Sequence, residues 1–224
     1  MIPSAISLSN VNLIYSDKYI LKNINLNINK GDCVSISGHN GAGKTTLFKI
    51  INGLVKPTSG TIKIFNNNSD NEIKKRIGYI PQINKFEENV PITVKQVIEI
   101  GITARKGIFK KLSKQDNLLV ENIAAKLDIH KLLNTPVGKL SGGEMQKVSI
   151  ARVLAQQADI ILLDEPLSNL DIKSQKNIIE IIEDIHSDKE HTLLIVLHNL
   201  EQKPKCCNRE IVLEKGEIVN YKLS

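Results

Sequence analysis

Cys33-Val34-Ser35-Ile36-Ser37-Gly38-His39-Asn40-Gly41-Ala42-Gly43-Lys44-Thr45 decides the fold. Its first five residues form a short buried run of strand length that enters a glycine-rich loop directly. From Lys44 onward Leu47, Ile50, Ile51 and Leu54 recur at helical spacing, predicting a helix over 44–54 that stops before Lys56-Pro57. Gly38 and Gly43 bracket four residues ahead of Lys44-Thr45. Small residues let the backbone wrap closely enough for successive amides to donate to phosphate oxygens, and the positive end of the following helix adds to them. In this pattern Lys44 supplies charge to the outer phosphates and the Thr45 hydroxyl is a magnesium ligand. An ordinary glycine turn before a helix is the bland alternative, so the rest of the chain must decide.

Two further stretches do. Ile160-Ile161-Leu162-Leu163 is an apolar strand ending in Asp164-Glu165. Side chains there emerge at the carboxyl edge of a parallel sheet, beside the loop that follows Cys33–Ser37. The first carboxylate is suited to hold magnesium, directly or through water, and the second to orient and deprotonate an attacking water. Ahead of them, Leu140-Ser141-Gly142-Gly143-Glu144 opens a helix predicted over 142–157. Its Ser141 hydroxyl, the Gly142 and Gly143 amides and the helix dipole make a second anion site, although in isolation such a turn is only an N-cap. One chain already holds a full cradle at Lys44, so a second one makes sense if it closes over nucleotide held by another subunit.

Around these motifs, 5–14 and 19–28 read as antiparallel strands joined at Ser16-Asp17-Lys18. Residues 61–65 and 77–80 are short strand candidates separated by a polar loop over 66–71. Helical texture takes over from Thr93, an N-cap for 94–100, and Ser113 caps a run whose Leu118, Ile123, Ala124 and Leu127 are expected on one face. Residues 86–140 are taken as a helical insertion. Beyond it a strand over 159–163, a helix over 171–185 and a strand over 192–197 alternate, which implies a parallel sheet covered on both faces. A hairpin over 209–221, turning at Lys215-Gly216, ends the chain.

Composition excludes several classes. No apolar run approaches the length of a membrane helix, and Met1-Ile2-Pro3-Ser4-Ala5 lacks the basic and apolar regions of an export signal. Cys33 stands alone and the adjacent Cys206 and Cys207 lack metal-site spacing, so all three read as reduced thiols. The net charge is +6, yet the densest basic cluster, Arg105, Lys106, Lys110, Lys111 and Lys114, has only Phe109 among it. That is no stacking platform for nucleic acid, and a solvated face is the expected reading, ahead of a contact with anionic headgroups or a membrane partner.

Taken in order, 38–45, 140–144 and 160–165 resemble the nucleotide-binding subunits of ATP-binding-cassette (ABC) systems, and the resemblance covers nearly the whole chain. It implies an α/β fold of the P-loop NTPase class, with a RecA-like core, an N-terminal antiparallel β-subdomain and an inserted helical subdomain. Over 1–224 it implies one ABC ATPase domain: 1–85 and 141–224 as catalytic core with β-subdomain, 86–140 as helical subdomain. Residue by residue it implies that Tyr15, or its local competitor Tyr19, stacks on adenine. Gly38, His39, Asn40, Gly41, Ala42, Gly43, Lys44, Thr45 and Thr46 would bind ATP in cis, and Ser141, Gly142, Gly143 and Glu144 in trans. Thr45, Gln82 and Asp164 would hold Mg2+, Glu165, His198 and Gln82 would be catalytic, and Asp171 would couple the two sites of a homodimer. His39, Glu144, Asn169 and Asn199 stand where proline, glutamine, alanine and aspartate are frequent, and none removes a group that the chemistry needs.

The resemblance further implies an integral-membrane permease as partner, an extracytoplasmic binding protein acting indirectly, no nucleic acid, and a peripheral place on the cytoplasmic face of the membrane. Val90-Pro91-Ile92-Thr93-Val94, with Lys106-Gly107-Ile108-Phe109, is similar to the zinc, manganese and iron importer ATPases, although siderophore and cobalamin importers share parts of it. An exporter or lipid-transport ATPase, a soluble ABC machine and a binding-only switch are the other readings.

Overall fold

The computed structural model describes residues 3–65, 67–68, 71–82, 91–107 and 109–223. Val90, Ile108 and the start of the predicted insertion, 86–90, therefore lie outside the described residues. Among the described residues the strands form two sheets. The first is antiparallel, in the order β2-β1-β4-β5, from β1 (Ser4–Tyr15), β2 (Lys18–Asn29), β4 (Ser59–Ile64) and β5 (Asn67–Asn68).

The second sheet runs β10-β9-β3-β8-β7-β6. Here β3 (Cys33–Ser37), β6 (Ile77–Ile80), β7 (Ile160–Asp164), β8 (Thr192–Val196) and β9 (Arg209–Glu214) are mutually parallel, and only β10 (Glu217–Leu223) pairs antiparallel, with β9. β3, β7 and β8 are buried at every residue, as strands covered on both faces must be. Their side chains alternate between two cores with the strand period of two. Ile161, Leu163, Leu193 and Ile195 face α3 (Val94–Lys106), α4 (Lys114–Lys126), α5 (Gly142–Gln156) and α6 (Ile172–His186). Ile160, Leu162, Leu194 and Val196 face α1 (Lys44–Ile51) and the antiparallel sheet.

Thr93 and Ser113 cap α3 and α4 as predicted, each in a reciprocal capping box. α3 crosses α5 closely because position 101 is glycine: a Cβ there would lie 1.9 Å from the Arg152 carbonyl oxygen. No helix among the described residues is long and apolar enough to cross a membrane.

Four expectations need correction. α1 ends at Ile51 rather than residue 54, because Gly53, at φ 69°, turns its N–H back to the Ile50 carbonyl and leaves Leu54 exposed. Leu118 is 61% exposed, since α4 buries the stripe Val120, Ile123, Ala124 and Leu127, and a residue two before Val120 points away from it. The polar loop over 66–71 contains the edge strand β5, and α2 (Asn71–Lys74) begins at its last residue. The basic cluster is not simply solvated: Lys106 and Arg105, closing α3, both pair with the buried Asp116 in the first turn of α4.

Candidate active site

Parallel strands present their carboxyl ends at one edge, so the segments after β3, β6, β7 and β8 converge there. The segment after β3 is the glycine loop. Gly38, at φ 146°, passes so close to the Leu213 carbonyl that a Cβ would lie 2.0 Å from its oxygen. Gly43, at φ 103°, precedes α1, and no side chain caps that helix. Its positive end is thus open toward the loop. Lys44 is 5% exposed and folds across the loop, its Nζ donating to the Gly38 carbonyl at 2.7 Å and the His39 carbonyl at 3.1 Å. Thr45 and Thr46 follow in the first turn, half-buried, while His39, Asn40 and Gly41 are exposed and Ala42 is buried.

At the end of β7, Asp164 is fully buried. The Tyr79 hydroxyl donates to its Oδ2 at 3.1 Å, whereas its Oδ1 has no hydrogen-bond partner. A buried carboxylate oxygen left without a donor fits a cation ligand, directly or through water. Burial, and then the Asp164 charge, push the Tyr79 phenol well above its ordinary range, so it remains a donor. Tyr79 was not anticipated from the sequence; its signal is the strand pattern of β6, which alternates it with the inward Ile80 toward the opposite core.

Glu165 has φ 52°, a conformation that costs a non-glycine residue of order 1–3 kcal/mol and persists only where surroundings hold it. Here its N–H donates to the Val196 carbonyl, and its own carbonyl accepts from the Ser168 amide and hydroxyl. The turn delivers the carboxylate to two donors: Gln82 Nε2 at 2.5 Å from Oε2, and His198 Nε2 at 2.8 Å from Oε1. Three residues picked separately from the sequence thus meet in one network.

The turn over 141–144 lies elsewhere. Ser141 caps α5, and the Glu144 carboxylate accepts from both the Ser141 N–H, at 2.8 Å, and its hydroxyl, at 2.7 Å. Those hydrogen bonds, the hydroxyl's first, hold the Glu144 carboxyl below its ordinary range. A Cβ on Gly142 would meet Leu170, and one on Gly143 would meet Ser174, so the neighbours of this turn belong to the segment entering α6 and not to the phosphate loop. Asp171 caps α6, accepting from the Ser174 N–H at 2.9 Å and its hydroxyl at 2.7 Å. Together they line an open cavity of ≈ 610 Å3.

The chain matches the ABC transporter family over residues 21–168. It belongs to that family. It is 40% identical over 221 residues to the phosphonates import ATP-binding protein of Fusobacterium nucleatum subsp. nucleatum, covering 94% of this chain and 89% of that one. It is 34% identical over 218 residues to the high-affinity zinc uptake system ATP-binding protein of Bacillus subtilis (strain 168), covering 97% and 94%. A dimeric post-hydrolysis state of an ATP-binding cassette bound to ADP and Pi superposes with a TM-score of 0.80 at 30% identity, covering 97% of this chain and 98% of that one. This chain is therefore an ABC ATPase, with the α/β fold of that family.

In this ABC ATPase both tyrosines proposed for adenine flank the β1–β2 turn, Tyr15 at 75% and Tyr19 at 53% exposure. The adjoining Ile20 and Leu21 pack against Gly43, which puts the turn beside the phosphate loop. Asn169 stands at φ 58°, a left-handed conformation that asparagine adopts more readily than alanine.

Proposed function

We propose that this ABC ATPase hydrolyses Mg-ATP at a composite site and powers a separate membrane permease. The observation that carries the reading is the pair of donors on Glu165, at the same sheet edge as Lys44 and the open end of α1. The loop over 38–43, Lys44, Thr45 and Thr46 hold the phosphates, and Tyr15 stacks on the base. Thr45, Gln82 and Asp164 hold Mg2+, which when bound neutralises developing charge on the phosphate oxygens. Glu165 takes the proton of the attacking water. Both of its oxygens are engaged by Gln82 and His198, so one must be released first. His198 frees Oε1 by turning its N–H to the terminal phosphate, which links base activation to nucleotide binding.

The 141–144 turn serves nucleotide held by a second copy, with Asp171 linking the two sites, so the working unit is a homodimer. The solved cassette bound to ADP and Pi, to which this chain is 30% identical, is dimeric, which supports this arrangement. Residues 86–140 are its helical subdomain, and the exposed Ile100, Phe109 and Leu118 there offer apolar surface to a permease at the cytoplasmic face of the membrane.

For cargo we favour import of zinc or a similar divalent metal, delivered by an extracytoplasmic binding protein. The insertion entry near Pro91–Val94 and the zinc-uptake relative support it. Phosphonate import is the second reading, favoured by the relative at 40% identity. Deleting the gene and measuring cellular zinc, manganese and iron under chelation, alongside growth on a phosphonate as phosphorus source, separates the two. Unchanged metal content with lost phosphonate growth would remove the metal reading.

A further inference from the structure

The three cysteines, isolated or adjacent in sequence, converge in the fold. Cys33 Sγ lies 3.4 Å from Cys206 Sγ and 3.3 Å from Cys207 Sγ, and all three sulfurs lie within 4.8 Å of one another. The spacing of the adjacent pair argues against a metal site in the sequence; the third sulfur, supplied by β3, reverses that reading. Cys33 begins β3, so the cluster sits at the sheet edge opposite the phosphate loop.

The cluster is held in place. The Asn208 N–H donates to the Cys33 carbonyl at 2.9 Å, while the Cys33 N–H donates to Asn208 Oδ1 at 3.1 Å. The Cys207 N–H donates to the Pro204 carbonyl at 3.0 Å. His186, the last residue of α6, stands beside Cys206, its Nε2 2.9 Å from the Gly31 carbonyl oxygen.

Spacing separates the possible uses. A disulfide needs sulfurs about 2.05 Å apart, so a pair would have to close by more than about 1 Å. A zinc ion with about 2.3 Å bonds at tetrahedral angles needs them about 3.8 Å apart, an opening of about half an ångström.

We propose that Cys33, Cys206 and Cys207 form a three-thiolate site for a thiophilic d10 metal ion, Zn2+ first and Cu+ second. Soft thiolates select these ions, and the three sulfurs supply three of the four positions of a tetrahedral shell. The ion ties the start of β3 to the segment before β9, remote from ATP chemistry and independent of the transported cargo.

The test uses the full chain, reduced and stripped with a chelator. Co2+ should bind one equivalent with a thiolate-to-cobalt charge-transfer band, Zn2+ should displace it, and Zn2+ should raise the melting temperature. A parallel titration with Cu+ under anaerobic conditions ranks the two ions. Cys206→Ser, at the most accessible of the three, should weaken binding roughly 10- to 100-fold while keeping ATP turnover, which shows that it folds. Absence of the band together with a melting temperature indifferent to Zn2+ and Cu+ overturns the proposal. So does an undiminished band in Cys206→Ser, or two thiols lost on mild oxidation by a protein that binds no metal when reduced.

Discussion

His198 Nε2 lies 2.8 Å from Glu165 Oε1, a contact made across the adjacent parallel strands β8 and β7. If that imidazole alternates between the base and the terminal phosphate, removing it should damage turnover more than binding. We expect His198→Ala to lower kcat about 100-fold with a much smaller change in the KM for ATP. Glu165→Gln should lower kcat by about 10²- to 10⁴-fold while retaining ATP, because the amide cannot take the water's proton. Steady-state kinetics with Mg-ATP checks both; an equal rise in KM with kcat intact would sink the assignment.

Lys44 already spends its ammonium on the Gly38 and His39 carbonyls, so it is aimed across the loop before any phosphate arrives. Hydrogen bonds to charged groups contribute about 1.5–3 kcal/mol each. Lys44→Ala should therefore weaken ATP binding roughly 10- to 100-fold, read by titration with a fluorescent ATP analogue.

Much of the candidate site was legible because each strand announces itself in a few apolar residues and the polar group at its end follows at once. Asp164-Glu165 after 160–163 and His198 after 192–197 needed only the rule that parallel strands end at one edge. What stayed hidden depends on contacts between distant segments. Tyr79 holds Asp164 from a neighbouring strand, and Asp116 gathers Arg105 and Lys106 from the preceding helix. Cys33 reaches Cys206 and Cys207 only because β9 lies next to β3, a pairing no local pattern specifies. Helix faces were misread where one apolar residue, Leu118 or Leu54, extended a pattern past its buried stripe.

The position of Gly101 predicts how α3 is held against α5. Alanine there would place a methyl 1.9 Å from the Arg152 carbonyl oxygen, on backbone that cannot step aside alone. Gly101→Ala should force α3 off α5 and destabilise the chain by about 1–3 kcal/mol, the usual effect of overpacking. Urea unfolding checks it; an unchanged midpoint would show that the two helices separate freely.

Asp116 predicts an acid-sensitive joint between α3 and α4. The Lys106 ammonium first, then the Ser113 amide and hydroxyl, hold its carboxyl well below the ordinary carboxylate range. The folded chain therefore binds that proton less readily than the unfolded one. The resulting stability is complete above the ordinary aspartate pKa of about 3.9 and is lost as pH falls toward the lower folded value. The melting temperature should drop below about pH 4, and more steeply than in Asp116→Asn, which has no such carboxyl to protonate. Melting curves between pH 7 and 3 that run parallel for the two proteins would contradict this.

A composite site makes a prediction that no single-chain site shares. Lys44→Ala disables the phosphate loop of its own subunit but leaves its 141–144 turn intact. Ser141→Arg does the reverse, blocking the turn through which Glu144 and the cap of α5 are joined. Each variant alone should be inactive within the permease complex. Mixed before assembly, they should form hybrid dimers in which one subunit's good loop meets the other's good turn. With equal amounts, half the dimers are hybrids and each has one sound site of two, so turnover should recover to about a quarter of wild type. ATPase assays on the mixture, with each variant alone as control, decide it. Continued inactivity of verified hybrids would mean that the turn serves its own chain, or that neither site works without the other.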